Sequence, residues 1–250
     1  MKINVFLSPV SIDELYFTGK TTVVIDVLRA STTIVNALEN GAKEVVPVAT
    51  VEFAVKVSGG MFGGLTLLGG ERNTKKVEGF ALGNSPIEYN PEAVEGKTIV
   101  FYTTNGSKAI VKAKFSENLF VCSYNNISAV AKKLVELGKD IEVLCAGRNN
   151  AFALEDACCA GKLITEIAAL KENIELTDSA RAMQALHKSF GKSIFKMLKE
   201  SEHGKLLIEN GFEADVKFCS KLNSTDAVPS FMGNTLKLMP LIPAQTINEE

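Results

Sequence analysis

Short apolar runs alternate with stretches of helical periodicity along most of the 250-residue chain. Residues 3–7, 21–26, 45–48, 65–68, 98–102, 119–122 and 141–145 are compact segments rich in Val, Ile and Leu, too short for stable helices, and they read as buried strands. Between them the period changes to that of a helix. One helix is expected over roughly 30–40 with Gly41 as its terminator, a short one at 51–58, one at 127–137 and a long one over 153–170. Ile127, Val130, Ala131, Leu134, Val135 and Leu137 share one face of the third. Alternation of this kind predicts a layered α/β/α fold around a mixed, largely parallel sheet, as a single domain over 1–250 with room for two lobes.

The alternation stops after the long helix. Residues 178–211 are mostly helical and are expected to form a cap or lobe against the sheet. Residues 224–234 are apolar and extended, and 235–240 read as a closing strand. Gly59, Gly60, Gly63 and Gly64 mark flexible turns around Met61 and Phe62, and the tail at 248–250 is expected to fray.

The ends of the strands carry the chemistry. The second run ends in Asp26 and is followed by Arg29, Ser31, Thr32 and Thr33 at a helix start. The run at 65–68 ends in Gly69-Gly70-Glu71-Arg72-Asn73, that at 98–102 in Thr103-Thr104-Asn105-Gly106-Ser107, and that at 141–145 in Ala146-Gly147-Arg148-Asn149-Asn150. In open α/β sheets ligands bind beyond the carboxyl ends of the strands, and helix N-termini there favour anions. A carboxylate, a fixed cation and hydroxyls at one such rim suit a divalent cation beside a phosphate. The other acidic residues near a strand end are Glu155 and Asp156, in the first turn of the 153–170 helix.

Composition narrows the classes. With 27 basic and 29 acidic side chains and a formal charge of −2, no basic stripe for nucleic acid is present. No apolar run approaches membrane-spanning length and the first residues do not resemble a leader, so a cytoplasmic protein is expected. The five cysteines lack the spacing of zinc sites and read as small buried thiols. The two histidines, His187 and His203, lie in polar helical surroundings and read as surface residues, which disfavours a histidine-based triad. Carboxylates, arginines, Asn, Ser, Thr and a hard metal must then do the work, and Mg²⁺ is bound through one or two carboxylates plus phosphate oxygens. Arg29, Arg72 and Arg148 exceed what one phosphate monoester needs, so a substrate with several anionic groups is expected.

Familiar phosphate motifs fail on inspection. Gly191-Lys192-Ser193 ends like a P-loop, but Leu186 stands where its first glycine belongs. Leu28 stands where an aspartyl phosphatase carries its second aspartate, and none of the cysteines has an arginine six positions on.

Taken together and in order, Val24-Ile25-Asp26-Val27-Leu28-Arg29-Ala30-Ser31-Thr32-Thr33, Gly70-Glu71-Arg72, Gly83-Asn84-Ser85-Pro86, Thr103-Thr104-Asn105-Gly106-Ser107, Ala146-Gly147-Arg148 and Leu154-Glu155-Asp156-Ala157-Cys158 resemble the 2-phosphosulfolactate phosphatases, known from coenzyme M biosynthesis. The resemblance runs over nearly the whole chain. It implies an α/β fold distinct from the common phosphatase folds and a Mg²⁺-dependent removal of phosphate from 2-phospho-3-sulfolactate. Under it, Asp26, Arg29 and Arg148 are catalytic, and Asp26, Glu71, Glu155 and Asp156 are the metal-ligand candidates. Ser31, Thr32, Arg72, Asn84, Ser85, Thr104, Asn105, Gly106 and Ser107 bind the anions. Asp26 is open to two roles, ligand or nucleophile. The competing readings are a phosphatase for another phosphorylated hydroxy acid and a non-catalytic receptor for an anionic metabolite. A homodimer is the prior for the assembly.

Overall fold

The computed structural model describes residues 1–60 and 65–239. The turn read around Met61 and Phe62 and the tail at 248–250 lie outside the described residues, as does the last position of the 235–240 strand. Eleven strands are present among those described: β1 (Lys2–Phe6), β2 (Thr21–Ile25), β3 (Glu44–Val48), β4 (Thr66–Arg72), β5 (Lys75–Lys76), β6 (Thr98–Tyr102), β7 (Asn118–Cys122), β8 (Ile141–Cys145), β9 (Glu175–Leu176), β10 (Pro229–Met232) and β11 (Thr235–Leu238). Their order across the sheet is β5-β4-β6-β3-β11-β10-β7-β2-β8-β1-β9.

Two parallel blocks make up this sheet. β7, β2, β8 and β1 run parallel, as do β4, β6 and β3. Between them lies the antiparallel β10–β11 hairpin, which meets each block through a single registered pair, Ser230 with Phe120 and Leu236 with Val45. Its two-residue turn, Gly233 and Asn234, has both φ angles positive, the conformation that matches the twist of paired strands.

Helices cover both faces: α1 (Ala30–Glu39), α2 (Val51–Gly60), α3 (Pro91–Val94), α4 (Gly106–Lys112), α5 (Ile127–Leu137), α6 (Leu154–Leu170), α7 (Asp178–Phe190), α8 (Ile194–Glu200), α9 (Glu202–Glu209) and α10 (Glu213–Cys219). Successive strand residues face opposite ways. Val23 and Ile25 pack with Ile127, Val130, Leu163 and Ile164 of α5 and α6, while Val24 packs with Ile34 and Leu38 of α1. That second cluster also takes Val121 and Leu144 from one block and Val45, Ile99 and Phe101 from the other, so one core joins the two. A third, under α2, contains Val46, Val48, Val100 and Tyr102. The layered α/β/α arrangement read from the sequence is the one observed. All five cysteines are free and buried. Among the described residues no helix is long and apolar enough to cross a membrane.

Three boundaries differ from expectation. Gly59 and Gly60, read as turn residues, are the last two positions of α2. β4 continues through Gly69 and Gly70 to Arg72 and turns back into β5, although paired glycines ordinarily mark a strand's end. At Gly70, φ is 137° and a Cβ would collide with the Tyr102 carbonyl, so glycine is what lets the strand continue beside β6. The helical region also extends beyond Gly211, because that residue, at φ 87°, ends only α9 and α10 follows.

Candidate functional site

The turns after β2, β4, β6 and β8 converge on one cavity of about 570 Å³, which α9 also lines. Asp26 is the first residue past β2, 7% exposed, and its Oδ1 accepts the Ala30 N–H at 3.3 Å, at the start of α1. The other oxygen lies against Gly106 at the start of α4, where a Cβ would collide with it. Gly106 therefore serves as space for the carboxylate, and two helix N-termini face it, a setting that favours negative charge. Burial nevertheless pushes the Asp26 carboxyl up to about 6; Glu71 and Glu155 push the same way, while His203 and the Ala30 N–H oppose them.

Glu71, near the end of β4, is buried in the same wall. Its Oε1 accepts the Thr104 N–H and its Oε2 the Thr74 N–H, each at 2.8 Å. Asn84 reaches the wall on a loop pinned to α1: Thr33 donates to the Asn84 carbonyl at 2.9 Å, Asn36 to that of Pro86 at 2.8 Å and Asn40 to that of Tyr89 at 2.7 Å. The side-chain oxygens of Asn84 and Thr104 are buried without a hydrogen-bond partner. Buried polar atoms are ordinarily satisfied, so two unpaired oxygens in one cavity wall mark it as a place suited to a polar ligand.

The cations fall into two groups. Arg72 and Lys75 on the β4–β5 hairpin and Arg148 line the cavity; among the described residues the ion-pair partner of Arg148 is the almost fully exposed Glu202, at 3.8 Å. Arg29 is different. Its guanidinium is 2% exposed, donates to Asp215 at 2.6 Å and to the Thr74 carbonyl at 2.8 Å, and stacks 4.3 Å from the centre of the Phe212 ring. Expected to grip the substrate, Arg29 commits one N–H of each amino group to the protein while forming part of the cavity wall.

Several expected anion binders are likewise occupied. Ser31 accepts the Asp26 N–H at 2.8 Å, Thr32 donates to the Val27 carbonyl at 3.0 Å, and Ser107 donates to the Val48 carbonyl at 2.8 Å. Their residues are at most 1% exposed, so these hydroxyls shape the turns from behind. Ser85 donates to Asp215 at 2.7 Å. Thr104 and Asn105 do line the cavity.

The carboxylates on α6 part company as well. Asp156 accepts the Val27 N–H at 2.8 Å on one oxygen and the Gly147 N–H at 3.1 Å on the other, tying the β2 turn to the β8 turn away from the cavity lining. Burial, reinforced by the charges of Asp26 and Glu155, holds its carboxyl well above the usual range. Glu155 lies 3.3 Å from His203 Nδ1. His203 thus corrects the surface reading: its side chain is 16% exposed and lines the cavity from α9. Sequence spacing carried no signal for it, because α9 reaches the site only through the path of the chain. Asn73 and Asn149 line the cavity from the polar strand ends, and Thr74, Leu206 and Asn210 line it without having been expected there.

The donor set tests the implied metal. Among the described residues no three His, Cys, Asp or Glu side chains form a metal cage. Asp26 and Glu71, with the two orphaned oxygens, supply hard oxygen donors and few carboxylates, which fits Mg²⁺ held jointly by protein, water and substrate phosphate.

A sequence model of the family described as 2-phosphosulpholactate phosphatase matches residues 7–234. A protein from Thermotoga petrophila named "Probable 2-phosphosulfolactate phosphatase" is 42% identical, over 94% of this chain and 98% of its own length. Proteins of the same name from Clostridium perfringens strain 13 and Caldanaerobacter subterraneus subsp. tengcongensis are 41% and 39% identical, covering 95% and 91% of this chain and 96% and 94% of their own lengths. The chain belongs to the 2-phosphosulpholactate phosphatase family.

Proposed function

We infer that this chain is a Mg²⁺-dependent phosphatase that hydrolyses 2-phospho-3-sulfolactate to 3-sulfolactate and inorganic phosphate. One observation carries the reading beyond family membership: two buried carboxylates, Asp26 and Glu71, share a cavity with Arg72, Lys75 and Arg148, none of which is held in a buried ion pair among the described residues. Carboxylates to hold a hard cation, and cations to hold a polyanion, are what a substrate bearing phosphate, carboxylate and sulfonate requires.

Asp26 and Glu71 would hold the ion. When bound, Mg²⁺ would offset charge on the phosphoryl oxygens and orient the group for in-line displacement. Asn84 and Thr104 offer their unpartnered oxygens to the polar groups that enter the cavity. Arg72, Lys75 and Arg148 bind the anions and stabilise the charge on the transferring group. The leaving oxygen belongs to an alcohol and departs as a strong base unless protonated. His203, oriented by Glu155, is the group in the wall suited to deliver that proton.

The test is phosphate release from 2-phosphosulfolactate, phospholactate and an aryl phosphate, each with Mg²⁺ and with EDTA. Metal-dependent turnover that prefers the sulfonate supports the reading; equal activity on all three keeps the metal site and discards the substrate; no release from any sinks it. His203→Ala adds a second arm. Its kcat should fall about 10²-fold or more on the sulfolactate ester but far less on the aryl ester, whose leaving group needs no proton. Equal losses on both would remove His203 from the proton transfer.

A further inference from the structure

Asp215 lies outside every motif of the sequence, on α10, yet it is 2% exposed and both its oxygens are engaged. Oδ2 accepts from Arg29 at 2.6 Å and Oδ1 from Ser85 at 2.7 Å. The second amino group of Arg29 donates to the Thr74 carbonyl at 2.8 Å. Thr74 sits at φ 69° and its neighbour Asn73 at φ 52°. A β-branched residue rarely adopts that left-handed conformation, and one that does is held there by its surroundings. The held conformation has an output: it aims the Thr74 N–H at Glu71 Oε2, 2.8 Å away.

These contacts form one line, from Asp215 through Arg29 and the strained Asn73–Thr74 turn to the Glu71 carboxylate. We propose that Asp215 is a positioning residue, which through Arg29 holds this turn in its left-handed conformation and so fixes Glu71 for the cation. The inference rests on reading Glu71 as a cation ligand. It gives the buried arginine a task that needs no contact with substrate, and it makes the carboxyl-terminal helices part of the metal site although they supply no ligand.

The test uses Mn²⁺ binding to the full chain, read by electron paramagnetic resonance, beside kcat and KM. Asp215→Asn keeps the shape and removes the charge. It should weaken Mn²⁺ binding about tenfold and lower kcat at limiting metal, with less than threefold change in the substrate KM at saturating metal. Thr74→Gly supplies the control that a merely structural role would not pass. Glycine adopts a positive φ without strain, so the double variant should recover most of the Mn²⁺ affinity lost by Asp215→Asn alone. Unchanged affinity in Asp215→Asn, or a loss that Thr74→Gly leaves uncorrected, overturns the proposal. Should Asp215→Asn not fold, Arg29→Lys with and without Thr74→Gly gives the same comparison. Glu71→Gln separates the two levels: if it leaves Mn²⁺ affinity intact, the cation reading falls and the positioning role with it. A weakened Glu71→Gln beside an unaffected Asp215→Asn overturns the positioning role alone.

Discussion

The turns after β2 and β8 leave adjacent parallel strands and each delivers an arginine, Arg29 in one and Arg148 in the other. Arg29 is roofed by α10, paired with Asp215 and stacked on Phe212, so its charge is spent inside the protein. Arg148 leaves a tight turn closed by paired hydrogen bonds with Ala151, at 3.0 and 2.9 Å, and keeps a side chain 26% exposed toward the cavity. Asp156 ties the two turns together through their backbone N–H groups. Equivalent local chemistry therefore acquires different work from what lies above it: a covered guanidinium organises the wall, and an uncovered one meets the ligand.

The sharpest separation of site from scaffold comes from Asp26→Asn. Turnover should fall at least about 10³-fold, the scale of losing a group that acts on the reacting centre, while the metal-free protein becomes more stable at pH 7. The sign follows from the raised carboxyl, moved from 3.8 to about 6. Between those values the folded chain keeps a proton that the unfolded chain has lost, so stability falls as pH rises and the penalty is complete above about 6. Two pKa units correspond to about 3 kcal/mol, an upper scale given the crowding of charges here. Denaturation midpoints at pH 4, 5, 6 and 7 should converge at the acid end and separate in favour of Asp26→Asn at the neutral end.

Arg29→Ala and Arg148→Ala test the comparison itself. Removing Arg29 leaves Asp215 buried and unpaired, which should destabilise by about 3–5 kcal/mol. Arg148→Ala should leave stability within about 0.5 kcal/mol, as surface changes do, yet raise KM about 10–100-fold through one lost charged hydrogen bond. Urea unfolding and steady-state kinetics on both variants check this, and an interchange of the two phenotypes would undo the assignment. Smallest is Glu202→Gln. The 3.8 Å contact of Glu202 with Arg148 is exposed, so KM should drop less than about twofold, and only at low ionic strength.

Much of the fold was legible along the chain. The strand at 141–145 and the helix at 127–137 coincide with β8 and α5, because a buried strand between turns and a one-faced helix announce themselves locally. β5 and β9 were not legible, being two residues each and exposed or nearly so, without an apolar pattern to reveal them. Within the site, Asp26, Glu71, Arg72, Asn84, Thr104, Asn105 and Arg148 were named from sequence and do line one cavity. Ser31, Thr32 and Ser107 were named on the same grounds and point into backbone instead, since a hydroxyl at a helix start serves a cap or turn as readily as a ligand.

By itself the sequence determined the alternation of strands and helices, the polar residues at the strand ends and their likeness to one family. Each depends on neighbours a few positions apart, where periodicity and turn chemistry act. Only the tertiary structure decided that two parallel blocks meet across the β10–β11 hairpin, that His203 enters the site and that Asp215 disarms Arg29. Those outcomes bring together segments far apart in the chain, and whether a charge is spent or free is a property of the groups packed against it.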